Sequence, residues 1–211
     1  GTSVIVNGDV LFAVDLAPVV EAHEASRADA TMVLLPMPEG EQYNAVELDE
    51  RAQTARLPRK GMAINLGGIA KGYAVDRAAA VLGRHGFHDG VVQAGGDLLV
   101  MGHRGSRPWT VGIRDPRGAE GDSFALAEVE NAAFSTAGDY ERAFVKDGVR
   151  YHHILDPRTG RPARACRSVT VFAPDAFTAD QLDDAIFILG PEKGLALLDA
   201  KEGTGAVIVD S

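Results

Sequence analysis

Apolar residues recur along this chain with helical spacing in some stretches and strand-like runs in others, and the switches between them mark out its elements. Residues 3–6 form a short apolar strand, residues 18–27 place apolar positions at helical spacing, and residues 30–35 read as a strand. That order predicts a β-α-β unit. A loop bearing Pro and Glu follows at 36–42, then two short strands at 45–48 and 54–57 around a polar turn. From Ile64 a Gly-rich loop feeds a long helix over 68–85, and strands at 90–93 and 98–102 flank a Gly-Gly-Asp turn. Successive antiparallel strands are predicted at 109–114, 124–129, 132–136 and 142–145. A strand at 168–172, helices at 178–189 and 191–200 and a strand at 205–209 complete the pattern. The expected fold is α+β: a mostly antiparallel sheet with packed helices, preceded by the short β-α-β unit.

The 211 residues, 45% of them hydrophobic, suffice for one good core or two small ones. A formal net charge of -9 argues against nucleic-acid or anionic-membrane partners, because phosphate contacts need clustered Lys and Arg. It suits a bound divalent cation better. Cys166 is the single cysteine, which excludes an internal disulfide and a thiolate metal cluster, and it reads as a small apolar filler. No apolar run is long enough for a transmembrane segment, and residues 1–16 show no basic stretch followed by an apolar one. Strand-like runs lie at both ends of the chain, so flanking sequence is expected.

Five segments carry candidate chemistry. In Asn65–Asp76, a Gly-rich turn with Gly67 and Gly68 opens a helix that bears Lys71 in its first turns. Glycines admit backbone N–H groups close to an anion, and the helix N-terminus and Lys71 add positive charge, so the segment suits phosphate; it equally suits a tightly packed helix start. Ala94-Gly95-Gly96-Asp97 allows close backbone approach to a ligand, or an ordinary hairpin turn. In Ser135–Arg142, Ser135 and Thr136 can bond a phosphate or a flavin edge and Tyr140 can stack, although a polar turn is the plainer reading. Tyr151–Gly160 sets His153 before an Asp-Pro-Arg-Thr-Gly turn, where it can act as acid or base. In Thr178–Gly190, Asp180 and Asp184 lie four apart on one helix face and offer two hard oxygen ligands for Mg²⁺, while Asp183 reads as a solvated acidic position.

Together and in this order, these segments resemble the ApbE family of FAD:protein FMN transferases, from about Tyr43 to the C-terminus. The resemblance implies an enzyme that binds FAD with Mg²⁺, splits its diphosphate and passes FMN to a threonine hydroxyl of an acceptor protein, releasing AMP. It implies metal ligands at the Gly68 carbonyl, Asp180 and Asp184. It further implies that Gly67, Gly68, Lys71, Asp97, Ser135, Thr136, Gly138, Asp139 and His153 line the FAD site. Lys71 then neutralises phosphate charge, and Asp180 or His153 is the base. Family members are often exported to the bacterial periplasm or held at a membrane.

Two positions depart from the family pattern: Asp184 stands where Thr is usual and Asn65 where Asp is usual. The N-terminal half that the family normally carries is not recognisable. Residues 1–49 resemble instead a central segment of sugar-phosphate nucleotidyltransferases, in which the position of Asp9 is a Mg²⁺ ligand. The expected division is therefore 1–49, nucleotidyltransferase-like, and 50–211, a truncated flavin transferase core. Alternatives are an FAD pyrophosphatase, a non-catalytic flavin-binding module, and a sugar-nucleotide transferase remnant.

Overall fold

The computed structural model describes residues 47–58 and 66–211, together with Glu21 and Ala25, which are helical as expected for 18–27. The strands expected at 3–6 and 30–35, the loop at 36–42, and Asp9 and Asn65 lie outside the described residues. The chain divides into two compact units, Gly1–Asn65 and Leu66–Ser211.

In the first unit, β1 (Glu47–Asp49) pairs antiparallel with β2 (Thr54–Arg56). Asp49 Oδ1 accepts the N–H groups of Arg51 and Ala52 at 3.0 and 2.9 Å, an Asx turn that reverses the chain. This is the hairpin expected from the two short apolar runs and the polar residues between them.

The second unit opens with α1 (Ala70–Arg84), followed by β3 (Gly90–Ala94) and β4 (Asp97–Met101). Gly95, at φ 62, supplies the left-handed turn between these strands. Next come β5 (Trp109–Arg114), β6 (Ser123–Val129), β7 (Ala132–Gly138), β8 (Phe144–Lys146), β9 (Val149–Tyr151), β10 (Leu155–Asp156) and β11 (Arg161–Pro162). β12 (Cys166–Ala173), α2 (Ala176–Leu189), α3 (Pro191–Asp199) and β13 (Gly205–Asp210) end the chain. Five strands form one antiparallel sheet in the order β13-β12-β7-β4-β3. The α+β class with a mostly antiparallel sheet is as expected. Of the strands predicted between 109 and 145, however, the one at β7 alone joins this sheet: β5 pairs with β6, and β8 with β9, in separate ribbons.

Helices α1 and α2 cover one face of the large sheet. Val169, Val171 and Ala173, every second residue of β12, meet Ala179, Leu182 and Ile186 of α2, while Val75 of α1 packs with Ala133 of β7 and Leu99 of β4. β12 lies between two neighbours and reads as a nearly continuous buried run, as a strand covered on both faces should. Cys166 is 2% exposed within this core, and burial, with the charge of Asp210 behind it, pushes its thiol up to about 11. It is inert filler. Among the described residues no helix is long and apolar enough to cross a membrane.

Candidate active site

The site grows out of the crossing of α1 and α2. A Cβ on Gly72 would stand 2.3 Å from the Ala176 carbonyl oxygen and 2.7 Å from Asp180 Cβ, so only glycine lets the two helices approach this closely. Its N–H donates to Asp180 Oδ2 at 2.8 Å. One turn later, Asp76 accepts the N–H groups of Ala176 and Phe177 at 2.8 and 2.9 Å and so caps α2 from outside. Asp175 adds the local cap, accepting from Thr178 N–H at 2.7 Å. The Gly-rich loop and the late helix, separated by about a hundred residues of sequence, are thereby locked together.

At this crossing Asp97, Asp180 and Asp183 each offer a carboxylate oxygen, all within 4.8 Å of one another and all buried. Lys71 Nζ lies 2.7 Å from Asp97 Oδ2 and 3.4 Å from Asp180 Oδ1. Asp97 Oδ2 is buried, and beyond this Lys71 contact no hydrogen bond reaches it among the described residues. Ser135 Oγ touches both Asp97 Oδ1 and Asp183 Oδ2, the latter at 2.6 Å. A hydroxyl has one proton to donate. Ser135 can therefore donate to only one of them at a time, and the second contact calls for a proton on Asp97 or Asp183.

Of the two, Asp183 is the carboxyl that its surroundings hold protonated. Burial, then the neighbouring charge of Asp184, lifts the Asp183 carboxyl well above the usual carboxylate range. Burial also raises Asp180, against the opposing hydrogen bond from Gly72 and the charge of Lys71. Asp184 is raised by burial and pulled back by the charges of His153 and Lys71. Burial works to lower Lys71, but the contact with Asp97 and the charges of Asp180 and Asp183 outweigh it, and its ammonium is held above the ordinary lysine value. One lysine against this many carboxyls leaves an excess of negative charge. A hard divalent cation is the natural complement.

The structure unites Gly68, Lys71, Asp97, Ser135, Asp180 and Asp184. A Cβ on Gly68 would stand 3.8 Å from Asp184 Oδ2, so these two residues are neighbours. Asp183 is not the solvated position expected: it is 4% exposed, it accepts the Asp184 N–H, and it belongs to the cluster. Thr136 faces away from Ser135, since successive strand residues point to opposite faces, and its hydroxyl meets that of Thr170 at 3.0 Å. Asp139 carries a two-pronged bond from Arg117, 2.7 Å at each oxygen. Gly138 makes room for the ring of Tyr140, which a Cβ would approach to 2.4 Å. His153 is exposed, with Nδ1 3.2 Å from the Glu141 carbonyl oxygen. Its neighbour His152 is buried against Phe187, and burial lowers its pKa.

The sheet order and this crossing define an α+β protein that gathers a lysine and several carboxyls between two helices. The family model described as ApbE family matches residues 9–208. The chain belongs to the ApbE family. That match takes in most of residues 1–49 as well. An FAD:protein FMN transferase of Treponema pallidum is 39% identical over 166 residues, covering 74% of this chain and 46% of that protein. One from Rhodobacter capsulatus is 37% identical over 189 residues, covering 88% of this chain and 34% of that protein. The crystal structure of the ApbE protein from Thermotoga maritima superposes with a TM-score of 0.67 at 44% identity, over 78% of this chain and 54% of that one. The chain thus spans about half, or less, of the length of the curated relatives it matches.

Proposed function

We propose that this chain carries the phosphoryl-handling core of an FAD:protein FMN transferase: with Mg²⁺, it moves FMN from FAD to a threonine hydroxyl of an acceptor protein and releases AMP. The observation that carries this reading is the buried cluster of Asp97, Asp180 and Asp183 with Lys71, set at the start of a helix behind a Gly-rich turn. Relatives named for this activity supply the substrate.

The residues present fit a magnesium ion: the oxygens are hard, their charge exceeds that of Lys71, and the buried Asp97 Oδ2 is met by Lys71 but by no other donor among the described residues. Asp180 and Asp97 would hold it, with Asp184 and the Gly68 carbonyl completing the set. When bound, the cation neutralises charge on the diphosphate being split. Phosphoryl transfer asks the protein mainly for placement and charge compensation. Lys71 compensates charge on the transferring and leaving phosphates, the α1 N-terminus adds its partial positive charge, and the Gly-rich turn admits the diphosphate to the backbone. His153, at the exposed edge of the site, takes the proton of the acceptor hydroxyl.

Incubation with FAD, Mg²⁺ and a threonine-bearing acceptor should yield AMP in step with covalently bound flavin, and Asp180→Ala should lower the rate by about a hundredfold or more. AMP and free FMN without labelled acceptor would mark an FAD pyrophosphatase instead. Tight FAD binding with no AMP would mark a binding module.

A further inference from the structure

Three consecutive side chains after β7 are each held by an arginine. Asp139 is bonded at both oxygens by Arg117, Arg150 Nε stands 3.9 Å from Asp139 Oδ2, and the Asp139 N–H donates to the Arg167 carbonyl at 2.9 Å. The Arg114 guanidinium lies 4.4 Å over the Tyr140 ring and also donates to Glu141 Oε1 at 3.1 Å. Behind them, Gly138 leaves the space that the Tyr140 ring occupies. The segment so held ends at Glu141, whose carbonyl oxygen is 3.2 Å from His153 Nδ1.

A carbonyl oxygen only accepts, so this bond requires the hydrogen to sit on Nδ1. A neutral imidazole has a single N–H, which leaves Nε2 with the free lone pair. Water favours the opposite tautomer for a free histidine side chain. An exposed histidine kept in the Nδ1–H form therefore needs an acceptor held in place.

We propose that Arg114 and Arg117 are positioning residues: through residues 139–141 they fix the Glu141 carbonyl, which selects the Nδ1–H tautomer of His153 and leaves Nε2 as the atom that takes a proton. The use of Nε2 on the acceptor hydroxyl rests on the flavin-transferase reading, whereas the tautomer itself does not. Asp139 on this account anchors the segment and does not touch flavin.

The test is a long-range ¹⁵N–¹H correlation spectrum of the histidines, taken well above the ordinary histidine pKa, with His153 assigned by its loss in His153→Gln. Wild type should show the Nδ1–H pattern for His153, and the Arg114→Gln/Arg117→Gln double variant should move it toward the Nε2–H pattern. Arg117→Lys keeps the charge but loses the fork, and it should give an intermediate shift; it carries the same readout if the double variant does not fold. An Nε2–H pattern in wild type overturns the proposal, as does a pattern unchanged in the variants. In the transfer assay, Arg117→Gln should lower kcat about tenfold at unchanged KM for FAD and have no further effect in a His153→Ala background. Multiplicative loss there overturns the positioning role. A wild-type protein with the Nδ1–H pattern but no AMP release rejects the transferase reading and leaves the tautomer assignment standing.

Discussion

A single hydroxyl, Ser135, touches two carboxyls with one proton to give, and burial with the charge of Asp184 makes Asp183 the one that holds a proton. The folded protein holds the Asp183 proton more tightly than the unfolded chain does. Between the ordinary carboxylate value of about 3.9 and the raised folded value, stability must therefore fall as pH rises. Asparagine at this position donates to Ser135 Oγ as the protonated acid does. Metal-free Asp183→Asn should thus melt at or above the wild-type temperature at neutral pH, with the difference shrinking toward pH about 4, the ordinary carboxylate range. A melting temperature several degrees below wild type in neutral EDTA buffer would refute the protonated assignment. Asp184 tells a second residue-level story, because its extra charge relative to threonine adds repulsion beside the cluster. Asp184→Thr should keep or raise turnover, and complete loss in the AMP assay would show that this carboxylate is indispensable. Lys71, Asp180 and Asp184 stood out in the sequence through a Gly-rich turn and four-residue spacing, and Asp97 through the family resemblance. Sequence reading missed Asp183, although residues three apart on a helix also share a face, and it grouped Thr136 with Ser135 against the two-residue period of a strand.

The elements were largely legible because apolar periodicity and turn residues agree with the fold: α1, α2, α3, β7 and β12 all lie close to where the pattern puts them. What the pattern lacked was pairing. β5 and β6 are as strand-like as their neighbours yet form a ribbon of their own, and the choice of partner is made by tertiary packing that no local window contains. The short strands β9, β10 and β11 were not foreseen, since each holds two or three residues. The role of Asp76 was likewise hidden, because the two N–H groups it caps lie at Ala176 and Phe177. The α1–α2 crossing depends on that cap and on the bare backbone at Gly72. Gly72→Ala should destabilise the protein by about 1–3 kcal/mol through overpacking, and by more if α2 cannot move. Because the strain falls on Asp180, Mg²⁺-dependent activity should drop further than stability does. Denaturation curves and FAD turnover measured on the same sample check both, and full activity would mean that the close approach is not needed.

At the scale of the whole molecule, an acidic chain concentrates buried carboxyls at one point and sets against them a lysine and a helix start. It matches the ApbE family over nearly its full length while spanning only about half of the curated relatives. The proposed activity needs a cation between α1 and α2, against the diphosphate of FAD. Crystals soaked with Mn²⁺ and FAD test it most directly. The expected result is an anomalous peak coordinated by Asp180 and at least one of Asp97, Asp183 and Asp184, with the FAD diphosphate beside Lys71. Manganese bound elsewhere, or FAD seated away from Lys71 with this cluster empty, would contradict it.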